Sequence, residues 1–227
     1  MHLVDTSCGY MGSSSIVGGN IPISVGSALA LKSKRSKNIS VCFFGDGAVD
    51  EGAFYEGLNF ASLKRLPIFF ICENNFYAIY SHQLKRQKED NIFRKSIALG
   101  VGAKRLDGND AIEVWGEAKE IIKRMRRGEG PYLIECRTYR WMAHSGPREN
   151  QHLGYTIKGE LDYWKSMCPI KRLEAYLSKK RLITEKQRAS IKTKIMNDID
   201  KAISFAKRRP FPGKDDLLRD VTSKRKI

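Results

Sequence analysis

The sequence predicts an α/β fold: a doubly wound parallel sheet with helices on both faces and a helical C-terminal tail. Three observations carry that expectation. Four short apolar, β-branched or aromatic runs, at 39–44, 68–72, 102–106 and 132–139, are each bounded by turn residues. Helical patterns separate the runs. After the last run and a polar loop, the tail returns to helical patterns. Strands that alternate with helices are joined by crossovers, which leave neighbouring strands parallel and place helices on the faces of the sheet.

Residues 22–31 read as a helix rich in small side chains. Positions 50–66 put Phe54, Leu58 and Ala61 on one helical face. Asp107-Gly108-Asn109-Asp110 is a turn and cap signal that opens a helix over 110–127, and Gly128 stops it. Residues 146–159 are polar and loop-like. Helices follow at 160–167, at 171–177 and from Thr184, where Gln187 completes a capping box. Ile191, Ile195, Ile199 and Ile203 recur every four residues in the last helix. Core packing is the expected use of that stripe, and a subunit interface is the second.

The 227 residues suffice for one sizeable core. With 41% hydrophobic and 29% charged residues, the composition is that of a globular chain. No apolar run approaches the roughly 20 residues that a membrane span needs. Met1-His2-Leu3-Val4-Asp5-Thr6 has no basic region followed by an apolar stretch, so the expected compartment is the cytoplasm, away from membranes. The five cysteines, at 8, 42, 72, 136 and 168, include no Cys-x-x-Cys pair. Cys42, Cys72 and Cys136 fall inside apolar runs and are expected as buried thiols rather than zinc ligands or disulfides.

The formal net charge is +16. Its basic residues are scattered in short clusters such as Lys32-Ser33-Lys34-Arg35 and Lys207-Arg208-Arg209, several of them where a helix ends and cations are favoured. A lysine-rich solvated surface is expected, with an anionic protein partner as the second reading. No interleaved aromatic platform or zinc-finger spacing accompanies the charge, so nucleic acid is not an expected partner.

An open parallel sheet binds ligands beyond the carboxyl ends of its strands. Gly45-Asp46-Gly47 closes the first run and Glu73-Asn74-Asn75 closes the second. If those strands are neighbours, Asp46 and Asn75 meet at one edge and offer a carboxylate and an amide oxygen. Such hard donors suit magnesium, which is held by few protein groups plus phosphate oxygens. Gly45 and Gly47 let the backbone turn sharply and approach a phosphate. The helix opening near Asp50 aims its free amides at the same place. The parts fit a metal-bridged diphosphate. The competing readings are a helix cap for Asp46 and an ordinary turn residue for Asn75.

The stretch Gly45-Asp46-Gly47-Ala48-Val49-Asp50-Glu51-Gly52-Ala53-Phe54-Tyr55-Glu56-Gly57-Leu58-Asn59-Phe60-Ala61, with Leu66-Pro67 and Glu73-Asn74-Asn75-Phe76-Tyr77-Ala78-Ile79, resembles one family. It is the alpha subunit of decarboxylating 2-oxo acid dehydrogenases, the thiamine-dependent components of pyruvate, branched-chain 2-oxo acid and acetoin dehydrogenase complexes. Ser15-Ile16-Val17-Gly18, Arg105-Leu106-Asp107-Gly108-Asn109-Asp110, Gly128-Glu129-Gly130-Pro131 and Thr138-Tyr139-Arg140 extend the resemblance, which runs from Met1 to at least Pro212. It implies the thiamine-diphosphate-binding fold, thiamine diphosphate and Mg2+ as cofactors, decarboxylation of a 2-oxo acid, and acyl transfer to lipoyl.

Carried over by position, Asp46 and Asn75 resemble the magnesium ligands, with the backbone carbonyl of Tyr77 as the third. Gly47 and Ala48 match backbone contacts to the diphosphate. Ser15 and Val17 match main-chain contacts to the aminopyrimidine. His144 resembles a catalytic histidine on the loop that closes over the diphosphate, where it can donate to phosphate or shuttle protons. Its competing reading is a plain exposed histidine. Glu51 is read as a cap and Glu56 as a subunit-interface hydrogen bond.

The pattern departs from the family at Met142-Ala143-His144-Ser145, which stands for the usual His-Gly-His-Ser, and at Ser15, where glycine is common. The family also carries a long segment before the position of Met1, including a Tyr-Arg pair that helps hold the diphosphate. Its activating glutamate belongs to a separate beta subunit. The chain is therefore expected to be incomplete or inactive alone, one subunit of a heterotetramer whose partners are a beta subunit and a lipoyl-bearing acyltransferase. The alternatives are a thiamine-dependent carboligase or transketolase-like subunit, and a truncated non-catalytic paralogue. The expected organisation is a diphosphate- and magnesium-binding α/β domain over 1–145, an active-site loop over 146–159, and a helical extension of the same domain over 160–227.

Overall fold

The computed structural model describes residues 2–218. In chain order its main elements are α1 (Asn20–Ser33), β1 (Ser40–Gly45), α2 (Gly52–Leu63), β2 (Ile68–Asn74) and a small hairpin of β3 (Tyr77–Ala78) and β4 (Ser81–His82). Next come α3 (Gln83–Arg86), α4 (Ile92–Ala98), β5 (Gly102–Asp107), α5 (Ala111–Met125) and β6 (Tyr132–Arg137). The tail holds α6 (Glu160–Ser166), α7 (Pro169–Lys179) and α8 (Glu185–Arg208). Four strands form one sheet in the order β1-β2-β6-β5, and every pairing is parallel. The α/β architecture follows the sequence expectation.

Alternation along β2 builds the layers, because successive strand residues face opposite sides. Ile68, Phe70 and Cys72 join Cys42, Phe44 and Leu133 in a core with Ile21 and Val25 of α1, Phe54 and Leu58 of α2, and Ile92 of α4. Phe69 faces the other way, where it packs with Leu106, Ile134 and Cys136 against Ile121 and Met125 of α5. Helices therefore cover both faces, but unequally. Val41 and Phe43, on the opposite side of β1 from Cys42 and Phe44, remain exposed. The α1–α2 crossing is close because position 57 has no side chain: a Cβ on Gly57 would lie 2.6 Å from Ile21 Cγ2.

Cys42, Cys72 and Cys136 are buried as expected, and so is Cys168; Cys8 is exposed. Among the described residues no helix is long and apolar enough to cross a membrane.

The chain divides into two compact units between Ala175 and Tyr176. In the second, α8 opens with the expected Thr184–Gln187 capping box. Its isoleucine stripe is not core: Ile191, Ile195, Ile199 and Ile203 are 46–53% exposed, and no residue of α8 is buried. Periodicity shows that a helix has an apolar face; it does not show that an apolar layer lies opposite.

Candidate active site

In the β1–β2 register Gly45 lies opposite Glu73. The residues that follow each strand consequently meet at one edge of the sheet. After Gly45 the chain enters a 3-10 turn, Asp46–Asp50, whose first residue is 1% exposed. Oδ2 of Asp46 accepts a hydrogen bond from Nη2 of Arg86, while Oδ1 is buried and makes none. Burial pushes the Asp46 carboxyl above its ordinary range. The Arg86 guanidinium pulls it back, with smaller pulls from the backbone amides of Asp46 and Asn75. A buried acceptor left without a donor costs about 1–3 kcal/mol. A cation arriving at Oδ1 relieves that cost.

The second wall is the turn from β2 into the hairpin. Oδ1 of Asn75 accepts from the Tyr77 amide at 3.2 Å, and Oδ1 of Asn74 accepts from the Phe76 amide at 3.1 Å. Phe76 and Ile79 adopt φ of 70° and 53°. That left-handed region costs a residue with a Cβ roughly 1–2 kcal/mol, so the turn holds its shape against a local penalty. The aromatic packing beneath it supplies part of the restraint: Phe76, Tyr77, Tyr139 and Leu161 form a buried cluster. The Tyr77 and Tyr139 hydroxyls both donate to Oε2 of Glu160, at 2.7 and 3.2 Å. Burial, reinforced by Glu160, holds both phenols well above their ordinary range.

The two walls touch. A Cβ on Gly47 would stand 2.9 Å from Cβ of Ala78, so only glycine lets the 3-10 turn approach the hairpin this closely. The segment carrying Ser15 and Val17 reaches the same region: a Cβ on Gly18, at φ 77°, would lie 3.1 Å from Cβ of Glu51. Ser15 and Val17 themselves are exposed. Glu51 occupies the N-cap position of α2 but makes no side-chain capping bond, which corrects its reading as a cap.

His144 lies on an exposed loop after β6. Its Nδ1 is 3.1 Å from Nη1 of Arg140, and Nη2 of the same guanidinium donates to the Ile79 carbonyl at 2.7 Å. One arginine thus ties the histidine loop to the hairpin. Because a guanidinium only donates, Nδ1 is the acceptor and the neutral ring carries its proton on Nε2. That N–H is the one available to a ligand.

Asp46, Gly47, Ala48, Asn75 and Tyr77 are thereby gathered at one edge, with Ser15, Val17 and His144 linked to it through their neighbours. The arrangement fits a magnesium-bridged diphosphate: it has an unpartnered carboxylate oxygen, an amide oxygen with a second lone pair, and a glycine contact that a side chain would block. No group of three or more His, Cys, Asp or Glu side chains converges among the described residues. A metal here would complete its shell from phosphate and water, as magnesium does. Sequence reasoning missed Arg86, which has no motif to mark it. It also missed Glu135, although a charged residue inside the apolar run 132–139 was a visible signal.

Comparison with known proteins gives this edge a lineage. The family pattern described as dehydrogenase E1 component matches residues 1–214. The chain is 38% identical, over 97% of its own length and 65% of the relative's, to the alpha subunit of acetoin:2,6-dichlorophenolindophenol oxidoreductase from Bacillus subtilis (strain 168). It is 36% identical, over 98% and 54%, to the chloroplastic pyruvate dehydrogenase E1 component subunit alpha-3 of Oryza sativa subsp. japonica. It is 34% identical, over 93% and 63%, to the 2-oxoisovalerate dehydrogenase subunit alpha of B. subtilis. The chain thus spans between about half and two thirds of the length of these relatives. A match across 1–214 encloses both walls of the site and the histidine loop, and on that ground the chain belongs to the dehydrogenase E1 component family.

Proposed function

We propose that this chain is the alpha subunit of a thiamine-diphosphate-dependent 2-oxo acid dehydrogenase, which decarboxylates a 2-oxo acid and passes the acyl group to lipoyl. Its partners in this reading are a beta subunit and a lipoyl-bearing acyltransferase, and its compartment is the cytoplasm. The observation that supports it most is the buried, unpartnered Oδ1 of Asp46, at the sheet edge that Asp46 shares with Asn75, within a chain of this family. The relatives' printed names, which include acetoin, pyruvate and 2-oxoisovalerate enzymes, support a 2-oxo acid or acetoin-type substrate.

The residues divide the work. Asp46 Oδ1, Asn75 Oδ1 and the Tyr77 carbonyl hold Mg2+. The backbone of Gly47 and Ala48 meets the diphosphate, and the main chain of Ser15 and Val17 meets the aminopyrimidine. When bound, thiamine diphosphate supplies the electron sink that makes loss of carbon dioxide possible. His144, its Nδ1 occupied by Arg140, presents Nε2–H to a phosphate or substrate oxygen.

Calorimetry with thiamine diphosphate and Mg2+, with and without a beta subunit, tests this reading. Saturable binding that Asp46→Ala weakens at least tenfold is expected. Equal binding by parent and variant under both conditions refutes the metal assignment. A lipoyl-dependent assay run against an aldehyde-acceptor screen then separates the dehydrogenase from a carboligase.

A further inference from the structure

We propose that Glu135 and Asn74 are positioning residues for the metal-ligand turn, with Glu135 fixing the Asn74 side chain and Asn74 fixing the backbone of Phe76 and Tyr77. The proposal rests on reading Asn75 and the Tyr77 carbonyl as magnesium ligands.

Glu135 sits in the middle of the sheet, opposite Cys72 of β2 and Arg105 of β5. It is 0% exposed. Both its oxygens are engaged. Oε1 accepts from Nδ2 of Asn74 at 2.7 Å and from Nη2 of Arg105 at 3.2 Å, and Oε2 accepts from the Phe93 amide at 3.1 Å. Arg105 and Arg137 pair in turn with Asp90. Glu135 is buried while Arg105, Arg137 and Asp90 are 24–31% exposed, and a buried carboxylate held by ion pairs is often no more stabilising than apolar packing of the same volume. A carboxylate at the sheet centre can nevertheless do something that packing alone cannot.

Orientation is what it supplies. An asparagine amide has a donor end and an acceptor end, and Asn74 is also 0% exposed. A carboxylate accepts only, so Glu135 forces the Nδ2 end of Asn74 toward itself, where that nitrogen also donates to Oε1 of Gln83 at 3.1 Å. The Oδ1 end must then face the Phe76 amide, which it meets at 3.1 Å. That bond holds Phe76 at φ 70° between the two residues read as ligands. Without the carboxylate the amide can invert, setting Nδ2 against the Phe76 N–H and releasing the turn.

The test uses the full chain and its Glu135→Gln and Asn74→Ala variants. Manganese(II), a paramagnetic stand-in for Mg2+, is titrated with thiamine diphosphate present, with and without a beta subunit, and amide exchange is followed by NMR without metal. Expected are a loss of manganese affinity of about 10–100-fold, the range for groups that orient metal ligands, and at least tenfold faster exchange at Phe76 and Tyr77 with the rest of β2 and β6 unchanged. If Glu135→Gln does not fold, Asn74→Ala carries the test, since it leaves the Glu135–Arg105 pair in place. Parent-like manganese affinity in the folded variants, or parent-like exchange at Phe76 and Tyr77, overturns the proposal even if the melting temperature falls. If the parent binds no manganese either alone or with a beta subunit, the cofactor reading fails and takes this proposal with it, whatever the exchange rates show.

Discussion

Arg86 donates to one oxygen of the Asp46 carboxylate at 2.5 Å, while the other oxygen of that buried group has no partner. Arg86 pairs with Asp50 as well and is only 14% exposed. Its removal leaves a buried carboxylate uncompensated, and breaking such a pair from one side costs about 3 kcal/mol. Arg86→Met should therefore unfold at lower urea concentration than the parent. Magnesium with thiamine diphosphate should restore more stability to the variant than to the parent, because the metal replaces the missing counter-charge. Denaturant titrations with and without cofactor check both points. A variant as stable as the parent would show that Asp46 does not depend on Arg86.

The meeting of Asp46 and Asn75 was legible in the sequence because strand ends carry short, recognisable signatures and parallel neighbours bring those ends to one edge. The turn itself was not. Phe76 and Ile79 are poor candidates for left-handed backbone, and what holds Phe76 there is a side-chain chain through Asn74 to Glu135, 61 positions away. Periodicity reports burial along one element and is silent about such long-range bonds. The same limit explains α8, whose isoleucine stripe is regular yet exposed, and Phe43, which reads as strand core yet stands 56% exposed.

Gly57 is the contact point of α1 and α2, where an added Cβ would lie 2.6 Å from Ile21 Cγ2. Ile21 is fully buried, so it cannot move aside without disturbing its neighbours. Gly57→Ala gains helix propensity but overpacks the crossing, and overpacking costs about 1–3 kcal/mol. A net loss of stability is expected by thermal or chemical denaturation. A more stable variant would show that the crossing has slack.

Burial raises the thiols of Cys42, Cys72 and Cys136, the last to about 12 from an ordinary 9.0. At pH 8 these groups stay protonated and enclosed, whereas Cys8 is exposed. A chromogenic disulfide reagent should therefore label Cys8 rapidly in the native chain and the buried thiols only after denaturation. The linkage has a definite sign. Between about pH 9 and 12 the unfolded chain loses the Cys136 proton while the fold retains it, so stability falls as pH rises through that window, by at most about 1.4 kcal/mol per pH unit. Cys136→Ala should flatten that part of the pH–stability curve, at the cost of a small cavity. An unchanged slope would remove Cys136 from the account.

His144 is exposed, and its described contact is with Arg140. Substitutions at such positions change stability by no more than about 0.5 kcal/mol. His144→Ala should accordingly melt with the parent and retain metal affinity, since none of the residues read as metal ligands touches it. Its turnover with a beta subunit should fall by about 10²–10⁴, the range for a positioned proton donor. Arg140→Met separates position from chemistry. It keeps the imidazole but cuts the tie from Nδ1 to the Ile79 carbonyl. A loop freed from the hairpin should lower turnover less than His144→Ala and leave the pH profile of the residual activity in place. If Arg140→Met matches the parent in rate, the tie is incidental; if His144→Ala does, the histidine is an ordinary loop residue and the proton must come from elsewhere.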